Sequence, residues 1–384
     1  MRHWISLLSC ALLAACAQVP LPASQPPEDL FAGPSFAAPA EPIDAAEVFA
    51  MSEAMRHYVR TVITPKVRTL GRQAALTEAL YQRGKLRLEY DTLMTRNASQ
   101  AFEARAGNCL SLLIMTAAFA KEMGLQVTYQ SAYREESWSR SGGLLLRSGH
   151  VNVTLGRRFI DTGSAQDLRE LTIDFLPADE IRGLRTMPIA EATVLAMYMN
   201  NRAVEALAQE RLDDANGWAR EAIRQDPLFL GAYNTLGIVY QRHGDASAAE
   251  RLFRHVLARE PANTRTLANL AQALSGMGRL QEAQALWSEL DRIEPHPPFH
   301  FYNLGLAAMR RGDYRAARDL FAEEAARDEH YHEFQYWLAV ANFKLGDVEQ
   351  ARRHLSRALA GSNNRGDRDL YAAKLDWIRS LQQP

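Results

Sequence analysis

Three residues in the first half of this 384-residue chain have side chains and settings suited to acyl-transfer chemistry: Cys109, His150 and Asp161. Cys109 follows Gly107-Asn108, a turn and helix N-cap signal, and precedes a run from Leu110 to Met123 whose apolar residues fall on nearly every helical face. That pattern predicts a buried helix ended by Gly124, with the cysteine in its first turn, where the helix dipole favours a thiolate. His150 opens the alternating stretch His150-Val151-Asn152-Val153-Thr154-Leu155. Gly156-Arg157 and then Arg158-Phe159-Ile160-Asp161-Thr162 follow, so the segment reads as a hairpin on a two-residue turn. This register pairs Asn152 with Asp161 and makes His150 and Asp161 diagonal neighbours on one face. A thiolate there can attack an amide or ester carbonyl, the imidazole can protonate the leaving amine, and the carboxylate can fix the imidazole's tautomer. Water or an amine would then resolve the thioester, giving a peptidase, amidase or deamidase in one case and a transglutaminase in the other.

The elements that must carry these residues lie between roughly Ala46 and Thr186, where the pattern is mixed helix and strand. Leu125 to Tyr133 reads as a strand. Arg134 to Arg147, with Trp138 and Gly142-Gly143, reads as a polar loop. The order of a cysteine at a helix start, then histidine and aspartate on adjacent strands, together with Arg105-x-Gly107-Asn108-Cys109-Leu110-Ser111, resembles the transglutaminase-like superfamily of papain-type cysteine enzymes. The resemblance covers about Thr77 to Asp161. It implies an α+β domain over residues 46–186 in which Cys109 is the nucleophile, His150 the general base and acid, and Asp161 the orienting carboxylate. No acidic cluster resembles the calcium sites of large animal transglutaminases, so neither metal nor cofactor is expected. The backbone N–H of Cys109 is one oxyanion donor, with Tyr90 and Gln73 as candidates for a second.

The second half is periodic. Pro227, Pro261 and Pro295 are spaced by 34 residues, as are Gly244, Gly278, Gly312 and Gly346, and as are Ala215, Ala249, Ala283, Ala317 and Ala351. Within that period Tyr233, Leu236, Gly237, Tyr240, Ala249, Phe253 and Pro261 fall at the offsets of a helix–turn–helix repeat, which resembles the tetratricopeptide repeat. About five repeats are expected over residues 187–365, forming an all-α solenoid; the first is the weakest, with Arg202 at the usual leucine position. Such an array needs a terminal cap, and the amphipathic stretch in 366–384 supplies one. Helical phase sets Phe299, Tyr302, Leu306, Met309, Tyr336, Val340 and Phe343 on one face, which the resemblance makes the concave surface. An exposed aromatic stripe there implies a groove for a protein or peptide partner; the alternative is that the cap helix or the N-terminal domain fills it.

The N-terminus reads as a targeting signal. A polar start and an apolar run too short to span a bilayer end in Leu13-Ala14-Ala15-Cys16, which resembles the bacterial lipobox, with residues 1–15 as signal peptide and Cys16 as the lipidated mature terminus. The resemblance implies several acyl chains, hence a lasting membrane anchor, and Ala17 after the cysteine favours the outer membrane, facing the periplasm. Residues 16–45 hold seven of the sixteen prolines and are expected to act as an extended tether. Cys109 is then the one thiol left in an oxidising compartment, with no cysteine to pair with, and is either a buried packing residue or a reactive one. With 23% charged residues and a net charge of −1, the chain lacks the basic surface that nucleic-acid binding needs. The residues thus point to an envelope-anchored cysteine acyl-transfer enzyme whose repeats recruit its substrate. The alternative is a non-catalytic repeat scaffold for envelope assembly, akin to the repeat lipoproteins of pilus and secretion systems.

Overall fold

A computed structural model describes residues 28–81, 86, 88–91, 94–133, 138–141, 144–147, 150–156, 170–175, 185–362 and 365–380. Residues 1–27, including Cys16, lie outside that set, as does Asp161. No helix among the described residues is long and apolar enough to cross a membrane.

The front of the chain begins with α1 (Glu53–Tyr58), which passes through a π turn into α2 (Thr64–Leu70), and then α3 (Arg72–Tyr81). Strand β1 (Glu89–Tyr90) pairs in parallel with β2 (Ala106–Gly107), bracketing α4 (Ala98–Ala104). Helix α5 (Cys109–Glu122) follows directly, and every residue from Leu110 to Ala120 is buried, as an apolar run without a polar face requires. Next come β3 (Gln126–Tyr133), β4 (Trp138–Ser141), β5 (Leu144–Arg147), β6 (His150–Gly156), β7 (Leu171–Ile173) and β8 (Arg185–Ile189). They form one antiparallel sheet in the order β7-β6-β3-β8, with β4 and β5 as a separate antiparallel pair.

Two expectations need correction here. The stretch expected to be a loop, 134–147, contains the β4–β5 pair. The edge of β6 left open by β3 is covered over Val153–Leu155 by β7, not by a strand directly after Gly156-Arg157. A two-residue turn would bring back the residues just after Arg157, whereas the strand in place begins at Leu171. The sheet also runs to Ile189, three residues past Thr186.

The array consists of helix pairs α6 (Glu191–Ala208) and α7 (Leu212–Gln225), α8 (Leu230–His243) and α9 (Ala246–Leu257), α10 (Thr264–Gly276) and α11 (Leu280–Ile293), α12 (His300–Arg310) and α13 (Tyr314–Arg327), and α14 (His332–Lys344) and α15 (Val348–Gly361), closed by α16 (Arg365–Ser380). The periodic glycines end the first helix of a pair in the left-handed region, with φ from 77° to 100° from Gly244 to Gly346. The first repeat has Glu210 at that place, and it adopts φ 61° all the same. One apolar core runs from Leu30 through the front domain to Trp287, and a second starts at Phe299, beyond residues 294–298.

The segment expected to be a free tether is docked from Glu28 onward. Phe31 lies beneath the Arg220 guanidinium at 4.9 Å, and the Phe36 ring sits 5.8 Å from Tyr240 and 4.5 Å from His243. The backbone N–H groups of Ala37 and Ala40 donate to Asp213 and Asp214 at 2.8 and 2.7 Å, and Arg251 donates to the Ala32 carbonyl. An extended proline-rich strand cannot satisfy its own backbone, so acidic side chains at the start of α7 do so. Replacing Phe36 with Ala removes the ring contacts worth about 1 kcal/mol. Proteolysis between Phe31 and Glu41, read by mass spectrometry, should then quicken several-fold while the thermal midpoint hardly moves.

The aromatic stripe is also corrected. Phe299 and Tyr302 are 1% and 6% exposed, so they belong to the core. Phe299 packs edge-on against Tyr331 and Phe334, and Tyr302 donates its hydroxyl hydrogen to Glu333 at 3.1 Å. Glu324, itself buried, accepts the backbone N–H groups of Phe299 and Tyr302 at 3.1 Å each, capping α12 from a neighbouring helix. Tyr336 stacks on Tyr371 and Phe343 meets Trp377, both at 5.1 Å, so the cap helix covers them. Leu306, Met309 and Val340 are half-buried. The physical reason is lateral: successive first helices lie side by side, and their large side chains fill the seam between them. Tyr302→Ala should therefore destabilise the protein by roughly 3 kcal/mol, measured by denaturant unfolding; an unchanged midpoint would return Tyr302 to a free surface.

Candidate active site

Each residue of the Arg105–Ser111 segment has a structural task at the head of α5. Arg105 ends α4 in the left-handed region at φ 52°. Gly107 is required by close approach, since a Cβ there would come within 2.6 Å of the Ser111 Cβ. Asn108 caps α5: its Oδ1 accepts from the Ser111 backbone N–H and from the Ser111 hydroxyl, both at 2.9 Å. The Ser111 hydroxyl in turn accepts the Arg96 N–H at 2.8 Å. Cys109 is thereby held in the first turn, partly exposed, while the helix behind it is buried. It is a free thiol.

His150 begins β6 and is 6% exposed. Its Nε2 donates to Asp174 Oδ1 at 2.6 Å, and Cys109 lies near enough to act on the ring's ionisation. Burial works against charging this ring. The hydrogen bond and charge of Asp174, with a further contribution from Cys109, outweigh it and raise His150 to about 9. Asp174 also accepts from Asn152 Nδ2 at 3.3 Å, and the hydroxyls of Thr154 and Thr172 meet at 2.8 Å. Continuing the pairing Val153↔Ile173 by one step sets Asp174 opposite Asn152 and diagonal to His150.

The sequence reading thus has Cys109 and His150 brought together, and its diagonal geometry recurs with a different carboxylate. Asp161 lies outside the described residues, and Asp174 is the group on His150. The missed signal was Leu171-Thr172-Ile173-Asp174, an alternating strand ending in a carboxylate. Of the two candidate oxyanion donors, Gln73 gives its amide N–H to the Leu155 carbonyl at 2.7 Å and so ties α3 to β6. Tyr90 stands in β1 opposite Gly107, two residues before the cysteine.

A thiol, an imidazole and a carboxylate in this order are groups that could add sulfur to a carbonyl and protonate a leaving amine. The groove residues Phe299, Tyr302, Leu306, Met309, Tyr336, Val340 and Phe343 belong to the distal repeats and take no part in this cluster.

Comparison with known proteins bears on the other half of the chain. Residues 240–300 and 302–365 each match the tetratricopeptide-repeat family. Among solved structures, a thermophilic tetratricopeptide-repeat protein of Thermus thermophilus is 20% identical, covering 47% of this chain and 98% of its own, with a TM-score of 0.29. Pseudomonas aeruginosa PilF is 20% identical over 48% of this chain and 84% of its own, with a TM-score of 0.29. YrrB, described as a repeat protein with an unusual peptide-binding site, is 19% identical over 47% of this chain and 92% of its own, with a TM-score of 0.25. No curated protein matches the chain. The C-terminal part of this protein is a solenoid of tetratricopeptide repeats, a class of module that binds proteins or peptides.

Proposed function

We propose that this chain is a repeat scaffold that binds a protein or peptide partner, and that its front domain is a transglutaminase-like cysteine acyl-transfer enzyme acting on an amide of that partner. The observation that carries the enzymatic part is the buried His150 ring, hydrogen-bonded to Asp174 and close enough to Cys109 for the sulfur to act on its ionisation. A buried ring with a carboxylate on Nε2 and a partly exposed helix-start thiol nearby can transfer a proton to something that approaches the sulfur. In the same proposal Cys16 is the lipidated anchor, holding the protein at the outer membrane.

The chemistry follows from the residues. The Cys109 thiolate adds to the substrate carbonyl, and the Cys109 backbone N–H faces the developing oxyanion. His150, charged below about pH 9, gives its proton to the leaving amine as the carbon–nitrogen bond breaks. The thioester left behind is opened by water or by a second amine, and His150 takes the proton of that nucleophile. Asp174 keeps the ring oriented throughout. The second reading is a scaffold without turnover, and the comparisons favour it: both family matches lie within the array, at residues 240–300 and 302–365.

Alkylation of Cys109 by iodoacetamide separates the two. In the full chain, followed on the Cys109 peptide by mass spectrometry, the rate should already be at its plateau near neutral pH. His150→Ala should lower that rate at least tenfold, toward the behaviour of an ordinary thiol with a pKa near 8.5. Asp174→Asn should do so more weakly, and Asp161→Asn, run beside it, tests the carboxylate first expected. A wild-type rate that climbs only above about pH 8, indifferent to His150, leaves the scaffold reading alone standing.

The raised His150 value also fixes a pH dependence. Folding lifts this group from 6.5 to about 9, so its contribution to stability is complete below about pH 6.5 and is lost as the pH rises through about 9. Denaturant midpoints should fall across that window in the wild type and stay flatter in His150→Ala.

A further inference from the structure

The first repeat departs from the other four at two places on its inner helix. Where the later repeats carry Leu236, Leu270, Leu304 and Leu338, it has Arg202; where they carry Val239, Ala273, Ala307 and Ala341, it has Glu205. Charge on the packing face of a helix is costly unless it is paired and hydrogen-bonded. In α6 Glu205 turns toward the front domain and is hydrogen-bonded there, while Arg202 pairs with Glu205 within the repeat.

Glu205 Oε1 accepts the backbone N–H of Thr95 at 2.6 Å, and Asn201, one turn earlier, donates its amide to the Thr95 hydroxyl at 3.3 Å. Thr95 is 1% exposed, and the same hydroxyl accepts from Asn108 Nδ2 at 3.0 Å. Asn108 is the cap of the helix whose first residue is Cys109. On the other side, Glu205 Oε2 accepts from Arg202 at 3.1 Å, and the Arg202 guanidinium lies 5.6 Å from the Trp218 ring in α7. Burial pushes the Glu205 carboxyl up, against the hydrogen bonds from Thr95 and Arg202, which favour its charge. A run of short contacts therefore leads from the second helix of the first repeat to the residue before the thiol.

We infer that Asn201 and Glu205 are positioning residues for Cys109: the first repeat holds the 94–97 segment, which holds the Asn108 cap, which aims the sulfur at His150. This rests on the reading of Cys109 as a nucleophile and extends it. The array is then part of the apparatus that orients the thiol, and the departures of the first repeat from its period are what that task requires. A role confined to docking the two halves would affect stability without altering the pH profile of the cysteine.

The test uses variants of the full chain that keep the array packed. The double variant Arg202→Leu with Glu205→Ala gives the first repeat the residues that its successors carry at those positions. Glu205→Gln keeps an acceptor oxygen for the Thr95 N–H. A second pair, Thr95→Val and Thr95→Ser, removes or retains the hydroxyl shared by Asn108 and Asn201, should the double variant fail to fold. The readout is the pH profile of Cys109 alkylation by iodoacetamide, with the thermal midpoint recorded alongside. The double variant and Thr95→Val should lose about tenfold in rate at neutral pH, with the midpoint moving toward the free-thiol value near 8.5. Glu205→Gln and Thr95→Ser should overlay the wild type. Profiles of the double variant and Thr95→Val that coincide with a normal wild-type profile overturn this inference alone. A wild-type profile that ignores His150→Ala removes the nucleophile reading and this inference with it.

Discussion

A helix that starts in a protein interior brings backbone N–H groups with no partner inside the helix, and the front domain is organised around meeting that demand at Cys109–Glu122. Asn108 answers it with one oxygen, taking both the Ser111 N–H and the Ser111 hydroxyl. The remaining atoms of the cap are then drawn into further bonds, Ser111 to Arg96 and Asn108 to Thr95, until the network reaches α6. Gly107 is confined by the same closeness, because a side chain there would strike Ser111. A thiol in this first turn has little freedom of its own. It is reactive or inert according to what the neighbouring strand presents to it.

That strand presents a polar stripe. His150, Asn152 and Thr154 alternate along β6, and Thr172 and Asp174 match them across the pairing with β7, each making a hydrogen bond within the stripe. Burying such groups is unfavourable unless they satisfy one another, so the register of two strands and the chemistry of the site are a single constraint. A slip of one residue would turn His150 away from Cys109 and leave Asp174 without its ring.

What could be read from the sequence follows the range of each signal. The buried helix was legible because Gly107-Asn108, an unbroken apolar run and Gly124 all lie within one short stretch, and the repeats because their period recurs so often. His150 was legible as a strand residue from its own alternation. Its carboxylate was not, since strand pairing beyond a tight turn depends on tertiary placement, and two aspartates, Asp161 and Asp174, each end a plausible partner strand. The aromatic stripe failed for a different reason. Helical phase says which side chains share a face, but whether that face is open depends on how closely successive helices approach, as Phe299 against Phe334 and Tyr336 against Tyr371 illustrate.

The proline-rich segment shows how composition can predict conformation and still miss location. Its described part begins as a short helical turn, Glu28–Phe31, whose Leu30 joins the apolar core, and runs on from Ala32 without helix or strand. An extended chain with fixed φ angles loses little entropy on binding, however, and its free N–H groups are ready donors. The acidic pair Asp213-Asp214 at the start of α7 accepts two of them, and Tyr240 and His243 receive the Phe36 ring. The strap crosses α7, α8 and α9, on helix positions distinct from those assigned to the concave stripe. It therefore fastens the first two repeats together from the outside. Glu205 and Asn201 of the same first repeat bond Thr95, which bonds the Asn108 cap, so the strap and the head of the cysteine helix are joined through one repeat.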